Sequence, residues 1–353
     1  LKNFKKLKDL GRGAFGICAL YKVKRIFLKV VIKVVIKRVS LECQSENDKR
    51  AISYEASLLK KLSHPNVIRF YDSFVELEQL CILMEYLDGG TMERMIQERK
   101  GIKMGQDVLY YFTQIVLALD HMHALKILHR DIKTANIFLN RKMTIVKVGD
   151  FGISKVGDFG ISKELNSKCA QELNSKCAQA STFVGTMNYV SPEICEGRAY
   201  GPKSDVWAVG CVLYELVELH KAFDGDSLHK AFDGDSIQLL LLRIARGQHG
   251  PISSTVTSGG QHGPISSTVT SGMRELIENV MEIDENRRPN TTEILLKPMV
   301  LQKWMEIHTN LGREILLKPM VLQKWMEIHT NLGRLENYTT KKDSEKQKIR
   351  RQG

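Results

Sequence analysis

The chain has 353 residues, of which 43% are hydrophobic and 26% are charged, and these fractions are ordinary for a globular protein. No apolar run approaches the length of a membrane span, so the sequence predicts no such span. The formal net charge is +12, but the basic residues are spread over the first 40 residues and the tail without clear aromatic interleaving, which does not favour nucleic-acid binding. The seven Cys show no zinc spacing and are typical of reduced thiols in the cytosol or nucleus.

Six segments of the chain occur twice, back to back and letter for letter. They are 4, 8, 8, 9, 13 and 21 residues long, and their first copies fill 30–33, 148–155, 164–171, 219–227, 247–259 and 293–313. Solenoid proteins need three or more copies of one unit length, so these repeats do not predict a solenoid. Identical copies of unequal length favour segments that were read twice when a gene model was assembled, and small insertions are the alternative.

The first third of the chain alternates short apolar runs with Gly and Lys. Residues 4–39 predict antiparallel strands, and residues 67–87 predict two more. Between them, residues 49–62 place apolar side chains at helical spacing around a single acidic residue, Glu55. The sequence therefore predicts a β-rich unit with one helix.

The pattern becomes helical after a glycine-containing linker at 88–90. One apolar face of the first predicted helix is formed by Val108, Phe112, Ile115, Leu119 and Met122. The predicted fold is α+β, with a small antiparallel β-rich lobe over 4–87 and a larger α-helical lobe over 88–300. Residues 301–334 predict a helical segment with its duplicated copy, and 335–353 predict a basic, disordered tail.

A glycine-rich loop near the start predicts a phosphate site. Gly11, Gly13 and Gly16 form the pattern G-x-G-x-x-G, in which backbone N–H groups can approach phosphate oxygens without a Cβ in the way. A dinucleotide-binding fold would place a helix directly after this loop. Residues 17–23 instead predict a strand, so the loop is interpreted as a hairpin that covers phosphates.

A lysine on the following strand can bind the α- and β-phosphates of a nucleotide if a helix carboxylate, here Glu55, orients it. The four-residue duplication supplies two candidates, Lys33 and Lys37. An even offset puts them on the same face of a strand, about 13 Å apart, so only one can lie over the phosphates. We predict that Lys37 lies over the phosphates, because an ion pair with Glu55 depends on the separation between the lysine and that carboxylate.

The strongest motif is H-R-D-I-K-T-A-N at 129–136. Asp131 can accept the proton of an attacking hydroxyl. Lys133 can neutralise a transferring phosphate, and Asn136 offers an amide oxygen to a metal. The motif D-F-G follows at 150–152, and Asp150 is a hard oxygen ligand suited to Mg²⁺.

A second D-F-G, beginning at Asp158, competes for the metal. We assign the ligand to Asp150, because it directly continues the strand that leaves the catalytic loop. The extra residues of the duplicated segments are then interpreted as part of a surface loop, because lengthening such a loop costs little entropy.

In this order, the motifs resemble those of the eukaryotic protein kinase family over residues 4 to about 300. Within that family the chain is similar to the NIMA-related kinases. The stretches that carry this similarity are H-P-N-V-I at 64–68, M-E-Y-L-D-G-G at 84–90, I-L-H-R-D-I-K-T-A-N-I-F-L at 127–139, G-D-F-G-I-S-K at 149–155 and K-S-D-V-W-A-V-G-C-V-L-Y-E-L at 203–216. The most similar subgroup has members tied to cilia and mitotic spindles.

The resemblance implies a bilobal serine/threonine protein kinase that uses ATP and Mg²⁺ to phosphorylate protein substrates. It implies that Glu85 and Leu87 bind adenine through their backbones. It also implies that Asp205 braces the catalytic loop and that Glu193 pairs with Arg288. A pseudokinase scaffold is the alternative, if the duplications are real and disrupt the site.

The resemblance also implies how the enzyme is controlled and where it acts. Thr182 lies where relatives are switched on by phosphorylation, and Arg130 is the natural partner of that phosphate. Thr186 would contact Asp131 and Lys133. The implied location is cytoplasmic, with cytoskeletal or ciliary partners.

Overall fold

The computed structural model describes residues 4–13, 16–25, 30–41, 49, 59–99, 107–150, 187–223, 234–252 and 267–311. The chain divides into two compact units, 1–304 and 305–353. No helix within the described ranges is long and apolar enough to cross a membrane. The lobe boundaries at 87 and 300 and the tail from 335 stay predictions.

A five-stranded antiparallel sheet forms the first lobe, in the order β1-β2-β3-β5-β4. Its strands are β1 Phe4–Gly13, β2 Gly16–Arg25, β3 Val30–Ser40, β4 Phe70–Glu76 and β5 Gln79–Glu85. The predicted strands of this lobe are therefore confirmed. Of the predicted helix at 49–62, Leu59–Lys61 forms a 3-10 turn, and residues 50–58, which include Glu55, lie outside the described residues.

Both copies of the duplicated V-V-I-K lie in β3, but they have different neighbours. The second copy, 34–37, pairs with β2 on one side and with β5 on the other. The first copy, 30–33, pairs with β2, and the pairing of β3 with β5 begins only at Val34. The second copy is therefore in the middle of the sheet, and the first extends the β2–β3 hairpin.

The second lobe is helical, as predicted, with a small hairpin of β6 Ile137–Leu139 and β7 Val146–Val148 beside the first lobe. Its helices are α1 Met92–Glu98, α2 Asp107–Ala124, α3 Pro192–Cys195, α4 Pro202–Glu218, α5 Gly234–Ala245, α6 Ser267–Val280, α7 Thr291–Leu295 and α8 Pro298–Leu311. The predicted apolar face of α2 is buried over its whole length. The bilobal α+β prediction is thus confirmed.

The centre of the second lobe is α4, in which every residue from Ser204 to Glu218 is buried. Most of these side chains are apolar around the whole helix, as expected of a helix surrounded by core. The helix ends at Leu219, whose φ of 64° is left-handed. Three of its buried residues are carboxylates, Asp205, Glu215 and Glu218, and the first two contact the catalytic loop described below.

A fully buried ion pair fixes the segment that precedes α4. Arg288 donates from Nη1 and Nη2 to the two carboxylate oxygens of Glu193, at 2.9 and 3.0 Å. Burial acts to raise the pKa of Glu193, but the hydrogen bonds from Arg288 and Ser204 outweigh it and lower the pKa below its ordinary value. This pair is the one that the family resemblance implied.

We expect Arg288→Met to lower the free energy of unfolding by about 3–5 kcal/mol, because it leaves a buried carboxylate without its cation. The matched control is Arg287→Met, since the Arg287 side chain is 73% exposed and pairs with Glu282 at 3.3 Å. That exposed pair contributes about 0–1 kcal/mol. Urea unfolding of both variants makes the comparison, and equal losses would contradict it.

The same pair predicts a pH dependence. Because the pKa of Glu193 is lower in the folded chain, its contribution to stability is present above the unfolded pKa and is lost as pH falls through the folded value. The free energy of unfolding of the wild type should therefore fall as the pH is lowered, and this fall should be smaller in Arg288→Met.

Candidate active site

The loop that carries the H-R-D motif is anchored to α4 by Asp205. Its carboxylate accepts hydrogen bonds from the backbone N–H groups of His129 and Arg130, both at 3.0 Å. Tyr200 donates to the same carboxylate at 2.6 Å, and His123 Nε2 lies 2.9 Å from it. Burial acts to raise the pKa of Asp205, but these partners prevail and lower it, so the group is a charged anchor.

His129 joins the loop to the end of β7. Its Nδ1 accepts from the backbone N–H of Asp131 at 3.3 Å, and its Nε2 lies 3.0 Å from the carbonyl oxygen of Gly149. A neutral imidazole with the proton on Nε2 satisfies both contacts. Burial lowers the pKa of His129, which favours this neutral form.

Two residues of this region have a left-handed backbone although they are not glycines. The φ of Arg130 is 67° and that of Asp150 is 56°. Such a conformation costs free energy and persists where the surrounding contacts over-determine it. The N–H of Arg130 donates to Asp205, and the Asp150 carboxylate contacts Lys37 Nζ.

Asp131, Lys133 and Asn136 converge on one another. The Oδ2 atom of Asp131 lies 3.1 Å from Lys133 Nζ and accepts a 2.9 Å hydrogen bond from Asn136 Nδ2. Asn136 Nδ2 also donates to the backbone carbonyl of Asp131 at 2.8 Å. The amide nitrogen of Asn136 is thus engaged, and its oxygen is the atom that could bind a cation.

Of the two candidate lysines on β3, Lys37 reaches this region. Its side chain is 10% exposed and its Nζ contacts Oδ1 of Asp150, which is 37% exposed. Lys33 is exposed, and its Nζ lies 6.0 Å from the centre of the Tyr86 ring. Asp158, the other candidate for the metal ligand, lies outside the described residues.

The glycine-rich turn joins two strands, as the sequence predicts. Gly13 pairs with Gly16 across the turn, and Gly11 pairs with Cys18. Cys18 is also the β2 neighbour of Lys37. Burial raises the pKa of Cys18 to about 11, and the Asp150 carboxylate adds to this against the effect of Lys37, so this thiol is protonated at neutral pH.

The segment between the lobes is tied to the second lobe by Glu85. Its carboxylate oxygens lie 3.0 and 2.8 Å from Lys147 Nζ on β7, and one of them accepts from the Arg69 backbone N–H at 3.1 Å. The backbone N–H of Glu85 donates to the Arg69 carbonyl at 2.9 Å. Because that amide is already used, the Glu85 backbone can offer adenine only its carbonyl.

The contacts described above join Lys37 to Asp150 and join Asp131 to Lys133 and Asn136, and the Asn136 carbonyl accepts from the N–H of Gly149, directly before Asp150. Gly11 pairs with Cys18 beside Lys37, and Glu85 contacts Lys147. Arg130 lies in the same loop as Asp131. Three others, Glu55, Thr182 and Thr186, lie outside the described residues. The sequence motifs did not predict a role at the site for Lys147, Thr134, Tyr189 and Glu215. Their partners are distant in sequence, so no local pattern signals them.

The oxygen ligands present fit a magnesium ion. Asp150 offers a carboxylate and Asn136 an amide oxygen, and Mg²⁺ in phosphate sites takes one or two protein ligands and fills its shell with waters and phosphate oxygens. Within the described ranges, no group of three His, Cys, Asp or Glu is arranged to hold a metal by itself. A metal here would accordingly be shared with a bound phosphate.

Comparison with known proteins identifies the family of this chain. Residues 4–300 match the family described as protein kinase domain. The chain is 38% identical over 321 residues to the serine/threonine-protein kinase nekl-2 of Caenorhabditis elegans, covering 89% of this chain and 78% of that protein. It is also 38% identical to Nek8 of Danio rerio and 35% identical to Nek5 of Homo sapiens, over 88% and 83% of this chain.

The chain spans only 39% and 36% of the Nek8 and Nek5 sequences. The kinase domain implies ATP as the phosphate donor, Mg²⁺ as the usual metal and proteins as substrates. On the family match and these identities, the chain belongs to the protein kinases and, within them, to the NIMA-related serine/threonine kinases.

Proposed function

We propose that this chain transfers the γ-phosphate of ATP to Ser or Thr of a protein, with Asp131 as the group that accepts the proton of the attacking hydroxyl. The observation that carries the proposal is the convergence at Oδ2 of Asp131, 3.1 Å from Lys133 Nζ and 2.9 Å from Asn136 Nδ2. These contacts hold the carboxylate in one orientation. Positioning and charge stabilisation are the main requirements of phosphoryl transfer.

The nucleotide is proposed to lie between the glycine-rich turn and Asp150. Backbone N–H groups of the turn at Gly11, Gly13 and Gly16 face the phosphates, and Lys37 binds the α- and β-phosphates. The carbonyl of Glu85 and the N–H of Leu87 bind adenine, in agreement with the use of the Glu85 amide by Arg69. In this arrangement Glu55 orients Lys37.

The phosphate is transferred in one displacement. The acceptor oxygen attacks the γ-phosphorus, its proton passes to Asp131, and the bond to the β-phosphate oxygen breaks to release ADP. Lys133 places a positive charge beside the transferring group. Asp150 and Asn136 would hold Mg²⁺, which neutralises phosphate charge.

We propose the regulation and the cellular location of this kinase from its family resemblance. Phosphorylated Thr182 pairs with Arg130, and Thr186 contacts Asp131 and Lys133. The substrates are cytoplasmic proteins of the cytoskeleton or cilium. The support for this part is the similarity to NIMA-related kinases.

The test is a phosphotransfer assay of the purified 353-residue chain on a panel of Ser, Thr and Tyr peptides. We expect phosphate on Ser or Thr and not on Tyr, and loss of transfer when EDTA removes Mg²⁺. Binding of ATP without transfer to any peptide would contradict the proposal and favour the scaffold alternative.

Lys147→Met is expected to raise the KM for ATP about threefold to tenfold, with a smaller change in kcat. The substitution removes two hydrogen bonds to the Glu85 carboxylate, of a kind that contributes on the order of 1 kcal/mol or more each, and so loosens the segment that binds adenine. Steady-state kinetics at varied ATP measure the effect. Lys142→Met, at an exposed neighbouring lysine, is the control. Equal KM values in the two variants would contradict the role of Lys147.

A further inference from the structure

A row of three lysines crosses the first three strands of the five-stranded sheet. Lys5 of β1 is paired with Lys22 of β2, and Lys22 is paired in turn with Lys33 of β3. Residues directly opposite on neighbouring strands lie on the same face of a sheet. Adjacent strands are about 4.8 Å apart, so this lysine row, consisting of Lys5, Lys22 and Lys33, spans about 10 Å.

The lysine row has no counterion within the described part of the chain. All three side chains are exposed, and none forms an ion pair with a described carboxylate. Lys6, which is also on β1, does pair with Asp9 at 2.7 Å. Asp9 is the only acidic residue among the first 40, which contain twelve Lys and Arg. The row therefore concentrates positive charge on a part of the sheet that has little negative charge of its own.

The stability of the sheet does not explain the row. Like charges directly opposite on neighbouring strands are destabilising, and Lys is depleted in strands generally. A lysine on an edge strand protects the edge from pairing with other chains. That explanation applies to Lys5, because β1 is an edge strand, but Lys22 and Lys33 are on strands that have neighbours on both sides in the sheet order.

The third lysine of the row comes from the first copy of the duplicated V-V-I-K unit. Lys33 precedes the residues at which β3 begins to pair with β5. It lies at the end of the row beside Tyr86, with its Nζ 6.0 Å from the centre of the ring. Lys37 is on the same face but four residues further along the strand, or about 13 Å. The row is therefore separate from the contact between Lys37 and Asp150.

The size and surroundings of the row favour an acidic protein segment as its partner. Basic clusters that bind anionic membranes contain about four to eight Lys or Arg, more than the three of this row. Single-stranded nucleic acids stack successive bases on aromatic rings, but the next described pair on this face is Leu20 with Val35. An extended peptide rises about 3.3 Å per residue, so a run of about three acidic residues matches the length of the row.

We propose that Lys5, Lys22 and Lys33 bind a short run of Asp or Glu in an extended segment of a partner protein. Carboxylates above the row would relieve the repulsion between the directly opposed lysines. The inference goes beyond the proposed function and does not depend on it, because this binding requires no transfer of phosphate.

The test measures the fluorescence anisotropy of a labelled poly-glutamate peptide with the 353-residue chain. The row variant combines Lys5→Gln, Lys22→Gln and Lys33→Gln. We expect it to raise the Kd for the peptide about tenfold, the scale of three exposed ion pairs. The binding of the wild type should weaken as salt is added, since exposed charges are screened.

The matched control combines Lys60→Gln, Lys126→Gln and Lys142→Gln, which are exposed lysines outside β1, β2 and β3. The control variant has the same net charge as the row variant, so general attraction of the peptide to a basic protein falls equally in both. Its Kd should stay within about twofold of the wild type. Equal Kd values in the two triple variants would overturn the inference.

A charge-preserving variant and the melting temperature separate binding from folding. Lys5→Arg, Lys22→Arg and Lys33→Arg together should bind the peptide as the wild type does. The row variant should melt no lower than the control variant, because it loses like charges at opposed positions. A lower melting temperature, or loss of binding in the arginine variant, would contradict the proposal.

Two other anionic probes distinguish the class of partner. Oligothymidine and vesicles that contain phosphatidylserine should each lose no more affinity for the row variant than for the control variant. If either probe depends on the row more strongly than poly-glutamate does, the partner is a nucleic acid or a membrane, and the inference of an acidic protein segment is wrong.

Discussion

Asp131→Asn is expected to lower kcat for phosphotransfer by about 10²–10⁴-fold, the usual contribution of a positioned general base. Asparagine has nearly the same shape and keeps an oxygen for the hydrogen bond from Asn136 and the contact with Lys133, which are 2.9 and 3.1 Å long in the wild type. The site should therefore stay assembled while it loses the group that accepts the proton. Steady-state kinetics with a Ser peptide measure the change, and the KM for ATP should hardly move.

The matched control for this variant is Asp72→Asn. Asp72 is an exposed aspartate of β4 that pairs with Lys60 at 3.2 Å. The control makes the same chemical change away from the site, and its kinetics should equal those of the wild type. If Asp131→Asn retains wild-type kcat, Asp131 is not the proton acceptor.

Lys37→Met is expected to lower kcat/KM for ATP by about 10²-fold or more, the scale of losing one preorganised electrostatic contact. The chain contains its own control, because Lys33 is the same residue of the duplicated V-V-I-K unit. Lys33→Met should leave the kinetics within about twofold of the wild type. The physical reason is burial: Lys37 contacts Asp150, whereas Lys33 is exposed beside Tyr86.

The reverse result would mean that β3 is paired four residues out of the described register. A shift of β3 by an even number of residues leaves each side chain on the same face of the sheet. Such a shift would therefore place Lys33 where Lys37 is described. Loss of activity in Lys33→Met with an active Lys37→Met would therefore contradict the described pairing of Val34 with Glu85. Melting temperatures of both variants separate this outcome from general destabilisation.

The sequence by itself determined the class of fold, and it predicted the residues of the catalytic loop. The catalytic loop could be predicted because Asp131, Lys133 and Asn136 lie within six residues, and chemistry that is carried by neighbouring residues appears as a motif. The strands and the apolar face of α2 could be predicted because burial on one face imposes a period on the sequence. Most of the helix predicted around Glu55 lies outside the described residues.

The sequence favoured Lys37 by its separation from Glu55, but its contact with Asp150 was decided only by the tertiary structure, because identical copies have identical local patterns and differ in their neighbours across the sheet. The same holds for the pairs Glu85 with Lys147 and Thr134 with Glu215, which are 62 and 81 residues apart in sequence. Contacts at such separations depend on how strands and helices pack against one another. A local pattern carries no information about that packing, so these residues could be found only after the chain was folded.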